Sequence, residues 1–287
     1  MNALQIKEFV EQNPRLVTCK ESVRYPGLFV LKYHSRVFYD NLWTPELQEM
    51  RGLVVDANWN IVILPFTKIF NRFENGADIE LDEKVIAVRK VNGFMAAATL
   101  VPEHGMVIST TGSTDSDFVA IAEKYLKNVE LYNGFTYLFE ICDPSDPHIV
   151  YEDSGAYLIG CRSLYNKSML PEKDLDPIAV RLKVRRPEWV ECIFSEVVAI
   201  SKAARHEGFV VYGKHTTLKI KSPYYLIKKL FARIRGEKLT YPWFADAKQK
   251  LDEEYYPLIQ HIENNRDDFI QFDEQARLEF IEGFLKL

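Results

Sequence analysis

What most constrains this chain is a procession of short β-type segments that fills it from about Gly27 to Thr111. The stretch GLFVLKYHSRVFY (27–39) alternates apolar and polar positions, as a strand with one wet face does. RGLVVD (51–56) followed by NIVILPF (60–66) reads as a hairpin turning at 57–60. KVIAVRKV (84–91), FMAAATLV (94–101) and GMVISTTG (105–112) then read as a meander, with PEHG (102–105) as its second turn.

Other segments interleave. Residues 1–14 suit a short amphipathic helix ending near Pro14. A helix is expected to start near Ser113–Asp115, where Ser and Asp side chains can cap, and to run through 118–128. Strands resume at FTYLFEIC (135–142) and AYLIGCR (156–162), and 172–204 reads as mostly helical with Pro187 as an interruption. A last hairpin joins GFVVYG (208–213) to TTLKIKS (216–222), turning through Lys214 and His215. Beyond Pro223 the texture changes: 224–236 is basic and helical, with Gly236 placed as a C-cap, and the chain from Asp246 onward is helical in period and acidic. A boundary is expected near 223–240, giving a β-rich domain over 1–225 and a small helical domain over 226–287.

The remaining bulk properties mainly exclude. A chain of 287 residues buries a large core, and 47% hydrophobic with 27% charged residues is ordinary for a water-soluble globular protein. The formal net charge of −5 argues against a generic nucleic-acid coat and leaves a local basic channel open. Cys19, Cys142, Cys161 and Cys192 form no CxxC pair, which suits free thiols in a reducing compartment, and the six histidines show no metal-ligand spacing. No run approaches the ~20 apolar residues of a membrane span, and the N-terminus lacks the marks of a signal peptide, so a cytoplasmic location is expected.

Several polar residues sit inside strand-like runs. Lys219 and Lys221, two apart, leave the same face of one strand, an unfavourable arrangement unless that face is wet or holds an anion. Glu207-Gly208 opens the strand paired with theirs; its carboxylate serves either a surface ion pair or a divalent cation on phosphate oxygens. Glu140 lies in mid-strand, Arg51 beside Gly52 at a strand mouth, and Lys68 before Asn71; singly, each is as well explained by an exposed face. Lys90, with Gly93 three residues on, opens on the same ambiguity. The basic run Lys228, Lys229, Arg233, Arg235 and Lys238 suits either RNA phosphates or pairing with the acidic tail.

The ordered set is another matter. Arg51-Gly52, Lys68, Lys90-x-x-Gly93, Glu140, Glu207-Gly208 and Lys219-x-Lys221 resemble the motifs of the covalent nucleotidyltransferases, the superfamily of polynucleotide ligases and capping enzymes. The match is closest to the RNA ligase 1 family of phage tRNA-repair enzymes, over roughly residues 25–225. That resemblance implies an α+β fold: an antiparallel-sheet nucleotidyltransferase (ATP-grasp-like adenylylation) domain followed by a small all-helical C-terminal domain. It implies an ATP-dependent RNA ligase acting in RNA or tRNA repair, in a phage-infected or bacterial cell, on RNA with 5′-phosphate and 3′-hydroxyl ends, as a monomer. ATP is the implied substrate and Mg²⁺ (or Mn²⁺) the implied metal. Lys90 would be the nucleophile that becomes lysyl-AMP, its pKa lowered by neighbouring cations. Lys219 and Lys221 would contact the α-phosphate, Glu140 the ribose, and Glu207 the metal. Arg51 and Lys68 would hold ATP phosphates, Gly93 would admit close backbone approach, and Val210 and Ile220 would wall the adenine.

Three departures from the family pattern stand out: Asn92 replaces the usual Asp between Lys90 and Gly93, Thr111 stands where another lysine is expected, and the helical tail is short. DNA ligases and capping guanylyltransferases carry a β-barrel domain after the Lys-x-Lys strand, where this tail reads as helical. An inactive nucleic-acid-binding relative is the rival from outside the enzymes.

Overall fold

The computed structural model describes residues 1–250 and 255–285. Helix α1 (Ala3–Gln12) is closed at its start by a capping box between Asn2 and Gln5. There follow β1 (Val17–Glu21), β2 (Phe29–Tyr33), α2 (Ser35–Tyr39), α3 (Pro45–Glu49), β3 (Arg51–Val55) and β4 (Ile61–Ile63). The four strands form one antiparallel sheet in the order β1-β2-β3-β4. The alternation seen over 27–39 therefore ends at Tyr33, and 35–39 turns helical, burying Val37 against the core formed with Ile6, Leu31 and Leu53.

Next come β5 (Phe70–Asn71), a 3₁₀ turn (Glu74–Gly76), β6 (Lys84–Arg89), β7 (Phe94–Val101), β8 (Gly105–Ser109), α4 (Asp117–Leu126), β9 (Phe135–Cys142) and β10 (Gly155–Ser163). Then follow α5 (Glu172–Leu182), β11 (Trp189–Ile193), α6 (Phe194–Ala203), β12 (Gly208–Tyr212) and β13 (Thr217–Lys221). These strands build two further sheets, ordered β10-β9-β7-β8 and β11-β6-β12-β13-β5. The expected meander is thus corrected at its first link. β6 pairs with β11 and β12, whereas β7 pairs with β8 and β9, so residues 90–93 cross between two sheets rather than turning within one.

Two more expectations change. Residues 189–193, placed in a helical stretch, form edge strand β11, in keeping with the β-forming Trp, Val and Ile they contain. Asp115 does not cap α4; its carboxylate accepts the backbone N–H groups of Val23 and Arg24, tying β1's end to the loop before the helix.

The main core lies between the β10-β9-β7-β8 sheet and helices α4 and α5, around Phe139, Leu158 and Leu126. A second, around Val54, Ala97 and Leu138, joins the first and second sheets. After β13 the described chain is helical: α7 (Pro223–Arg233), α8 (Tyr241–Lys250), α9 (Tyr256–Asn264), α10 (Arg266–Phe269) and α11 (Glu274–Leu285). These helices share their own core of Phe231, Phe244, Ile259 and Ile281. Helix α7 ends at Arg233, and Gly236 opens a 3₁₀ turn instead of capping it. Lys228 and Arg233 pair with Glu282 and Glu274, so part of the basic run is neutralised within the tail. Among the described residues no helix is long and apolar enough to cross a membrane.

Candidate active site

The crossover between the second and third sheets is the centre of the site. The backbone N–H of Lys90 donates to the Gly208 carbonyl at 2.8 Å, fixing the crossover to the head of β12. The backbone is so close to β9 at Gly93 that a Cβ there would lie 2.2 Å from the Ile141 carbonyl oxygen, and only glycine fits. Gly208, at φ +133°, is tighter still, with an added Cβ 2.0 Å from the Ile220 oxygen. Two of the three glycines of the sequence pattern, Gly93 and Gly208, thus allow backbone to meet backbone here.

Four predicted residues converge here. The Lys90 ammonium lies 3.0 Å from Oε2 of Glu207 and 3.9 Å from Oε1 of Glu140. The Lys221 ammonium lies 3.7 Å from Oε1 of Glu207. Glu140, in the middle of β9, accepts the Gly93 N–H at 3.1 Å, so it marks the site and not an exposed strand face. Glu207 and Glu140 are both buried.

Burial works to depress the Lys90 pKa, but the Glu140 and Glu207 carboxylates outweigh it and hold the amine above its ordinary value. This corrects the expectation that cations lower it: in the free protein its nearest charged neighbours are acidic. The depressed amine is Lys219, brought down to about 7 by burial and then by the cations of Lys68, Arg51, Lys90 and Lys221. Burial likewise lowers Lys221, against the opposing pull of Glu207.

Beside this cluster opens a cavity of about 420 Å³, with Arg51, Lys90, Glu140 and Lys219 in its polar wall. Val88, Val210 and Ile159 supply an apolar wall. Strand register explains the split: Val210 pairs with Lys219 and faces the cavity, while Phe209 and Ile220 face the opposite side. Ile220 accordingly packs with Val85, Val197 and Leu218 in the core under α6, which corrects its place as an adenine wall. Lys68 does not line the cavity. It packs against Trp43 and Phe70, its ammonium 5.2 and 4.3 Å from their ring centroids and 3.4 Å from Glu74.

The departures also find places. Asn92 is buried; its Nδ2 donates to Glu207 Oε2 at 2.9 Å and its Oδ1 accepts the Val150 N–H at 2.9 Å. Thr111 lines the cavity. Three contributors escaped the sequence reading. Arg89 Nη2 donates to both carboxylate oxygens of Glu152, at 3.0 and 2.8 Å, and Glu152 also accepts the Asn92 N–H at 3.3 Å. Tyr225 places its ring 5.0 Å from the Lys221 ammonium. Glu74 lies in a turn with no pattern to signal it.

Chemically, the cavity offers an apolar slot beside converging cations. Neither Arg51 nor Lys219 has a carboxylate within ion-pair distance among the described residues, so the wall is complementary to a polyanion such as a nucleotide phosphate chain. No group of three or more His, Cys, Asp or Glu able to hold a metal occurs among the described residues. Glu207 and Glu140 fit a divalent cation only as part of a shell completed by phosphate oxygens and water.

A sequence profile described as RNA ligase matches residues 49–225. No curated protein matches the chain. Among solved structures, an archaeal ATP-dependent RNA ligase superposes with a TM-score of 0.62 at 17% identity, over 94% of this chain and 77% of that one. A second form of that archaeal ligase gives 0.56 at 15% identity, over 96% and 75%. A putative ATP-dependent DNA ligase from Aquifex aeolicus gives 0.56 at 14% identity, over 98% and 78%. At such identities these likenesses establish a shared ligase nucleotidyltransferase fold.

Proposed function

This chain belongs to the RNA ligase family, and on that premise we propose that it is an ATP-dependent RNA ligase, sealing 5′-phosphate to 3′-hydroxyl ends in the repair of broken RNA, tRNA included. The observation that carries the reading is the Lys90 amine, 3.0 Å from Glu207 and 3.9 Å from Glu140, lining a cavity with Arg51 and Lys219, cations that have no carboxylate at ion-pair distance among the described residues.

In the first step the Lys90 amine attacks the α-phosphorus of ATP. A P–N bond forms, the bond to the bridging oxygen of the β-phosphate breaks, and pyrophosphate leaves. Lys90 rests as an ammonium, so it must first give up a proton; Glu207, 3.0 Å away, is the nearest acceptor and passes it to solvent. Lys219, poised near neutrality, takes up a proton as the phosphates arrive and stabilises charge on the phosphoryl oxygens, with Lys221 beside it. Glu140 is positioned for a ribose hydroxyl, and Val88, Val210 and Ile159 for the base. A divalent cation, Mg²⁺ or Mn²⁺, supplies further neutralisation of phosphate charge, with Glu207 and Glu140 as the carboxylates that would hold it.

The remaining steps move the same nucleotide. An oxygen of the RNA 5′-phosphate attacks lysyl-AMP and releases the lysine, giving an RNA-adenylate. The 3′-hydroxyl then attacks the 5′-phosphorus and AMP departs. The described chain after Lys221 is helical, which favours this reading over a DNA ligase or capping enzyme with a β-barrel there.

A label-transfer assay tests it. Wild type and Lys90→Ala are incubated with α-labelled ATP or GTP and Mg²⁺ and separated under denaturing conditions. The expected result is a labelled protein band from ATP that is absent in the variant. Label from GTP alone reassigns the chain to capping. No label from either nucleotide, in folded protein first cleared of bound AMP with pyrophosphate, supports the inactive binding relative.

A further inference from the structure

The parking place of Lys68 is built with more care than a surface lysine needs. Its side chain is almost fully buried, packed over the edge-to-face pair of Trp43 and Phe70, and its ammonium lies 3.4 Å from Glu74 Oε1. The other carboxylate oxygen of Glu74 accepts both the Asn71 backbone N–H at 2.8 Å and the Asn71 side-chain amide at 2.7 Å. The turn that presents Glu74 is bracketed by two non-glycine residues in the left-handed region, Phe73 at φ +68° and Asn75 at φ +52°. Phe73 there is a bulky outlier of the kind held only where surrounding structure demands it. The amide of Asn71 is committed to Glu74, and its Oδ1 is buried without a partner among the described residues. Meanwhile Thr67 and Ile69, on either side of Lys68, both line the cavity.

We propose that Glu74 is a positioning residue: it is the resident counter-ion of Lys68, holding that ammonium charged and beside the cavity until nucleotide phosphate takes the carboxylate's place. This rests on the function proposed above together with the role that the family resemblance implies for Lys68, that of holding ATP phosphates. The charged groups facing Lys68 are Glu74 from the turn, Arg51 from β3 and Lys219 from β13. Burial depresses the Lys68 pKa, Glu74 counters that, and Arg51 adds to it. Without Glu74 only depressing influences remain, and the lysine sheds its proton at a lower pH.

The test is Glu74→Gln, which retains an oxygen for Asn71 and removes the charge. Trace acetylation of the intact protein across pH, read by peptide mass spectrometry, reports the titration of the Lys68 amine. The expected result is a midpoint shifted to lower pH in the variant. In wild type, ATP should change the labelling of Lys68. The KM for ATP in lysyl-AMP formation should rise about tenfold, with the alkaline limb of its pH profile moved to lower pH and kcat at saturating ATP retained. An unmoved Lys68 midpoint with an unchanged KM overturns the proposal. Lys68→Ala separates the two readings: if it leaves KM unaltered, the phosphate role of Lys68 fails, whereas a large effect of Lys68→Ala with none from Glu74→Gln sinks only the part given to Glu74. A merely structural Glu74 would lower thermal stability without moving the Lys68 titration.

Discussion

The Lys90 ammonium and the Asn92 side-chain amide share one acceptor, Oε2 of Glu207, at 3.0 and 2.9 Å. The orientation of the amide is fixed from its other end, because its oxygen accepts the Val150 N–H. Turned over, it would set oxygen against carboxylate and amine against amide. Asparagine is therefore matched to an ionised Glu207, and the departure from the family's aspartate is accommodated by the surrounding bonds.

That arrangement makes Asn92→Asp informative. The new carboxylate keeps the bond from Val150 but faces Glu207 oxygen to oxygen, in a buried place. Its folded pKa is raised above the unfolded value by burial and by like charge, so its contribution to stability is present at low pH and lost as pH rises through the folded pKa. Urea unfolding should show a deficit of about 1–2 kcal/mol at pH 8 that shrinks at pH 5. A deficit independent of pH would mean that Glu207 and the new aspartate do not interact.

Lys219 illustrates a cost the fold carries for its chemistry. Its pKa, brought to about 7 from an ordinary 10.5, means that the charged form is disfavoured in the folded state. For a lysine depressed in this way, the cost is full below about pH 7 and fades as pH rises toward 10.5, where the unfolded chain also loses the proton. Lys219→Met should raise stability by about 1–3 kcal/mol at pH 6, with a smaller gain at pH 9, while lowering lysyl-AMP formation by at least 100-fold, on the order expected for a lost transition-state cation. Thermal melts at the two pH values, paired with label transfer, check both halves.

Gly208→Ala probes backbone packing instead of charge. At φ +133° an alanine is strained, and its Cβ would sit 2.0 Å from the carbonyl oxygen of Ile220, a backbone atom in the paired strand. The expected loss is about 2–4 kcal/mol, with β12 and β13 forced apart beside Glu207 and Lys221. A urea midpoint within experimental error of wild type would show that the strand pair relaxes without penalty.

How far the sequence revealed all this depends on the range of the interaction. The β12–β13 hairpin was legible because alternation places Lys219 on one face and Leu218 and Ile220 on the other, and that same alternation should have excluded Ile220 from the cavity. Alternation says which face a residue takes, but not which strand lies alongside, so β6 and β7 read as neighbours although they belong to different sheets. Motif order brought out Lys90, Glu140, Glu207, Lys219 and Lys221 as a set, and they do come together. Their electrostatics were not legible, because the sign of the Lys90 shift depends on the Glu140 and Glu207 carboxylates, 3.9 and 3.0 Å away, outweighing burial, a matter of tertiary distance. Glu74 and Tyr225 left no signal, since neither stands in a pattern that a local reading can distinguish from an ordinary turn or helix position.

The helices beyond β13 offer a last test, at the contact between α7 and α11. Lys228 is buried, and its ammonium lies 2.7 Å from Glu282 Oε2, an oxygen that also accepts the Tyr224 hydroxyl at 2.6 Å. Glu282→Gln keeps the shape but leaves the buried ammonium without its countercharge, at an expected cost of about 1–3 kcal/mol in urea unfolding. The double variant Lys228→Met with Glu282→Leu removes both charges together and should recover most of that loss, because burying an ion pair roughly breaks even against apolar residues of similar volume. Leu278, Tyr225 and Ala232 already provide apolar surroundings at this contact. If the single variant costs nothing, the pair is solvated in solution and does not hold α11 in place. If the double variant is as unstable as the single one, the shape of the site, and not its charge, joins the two helices.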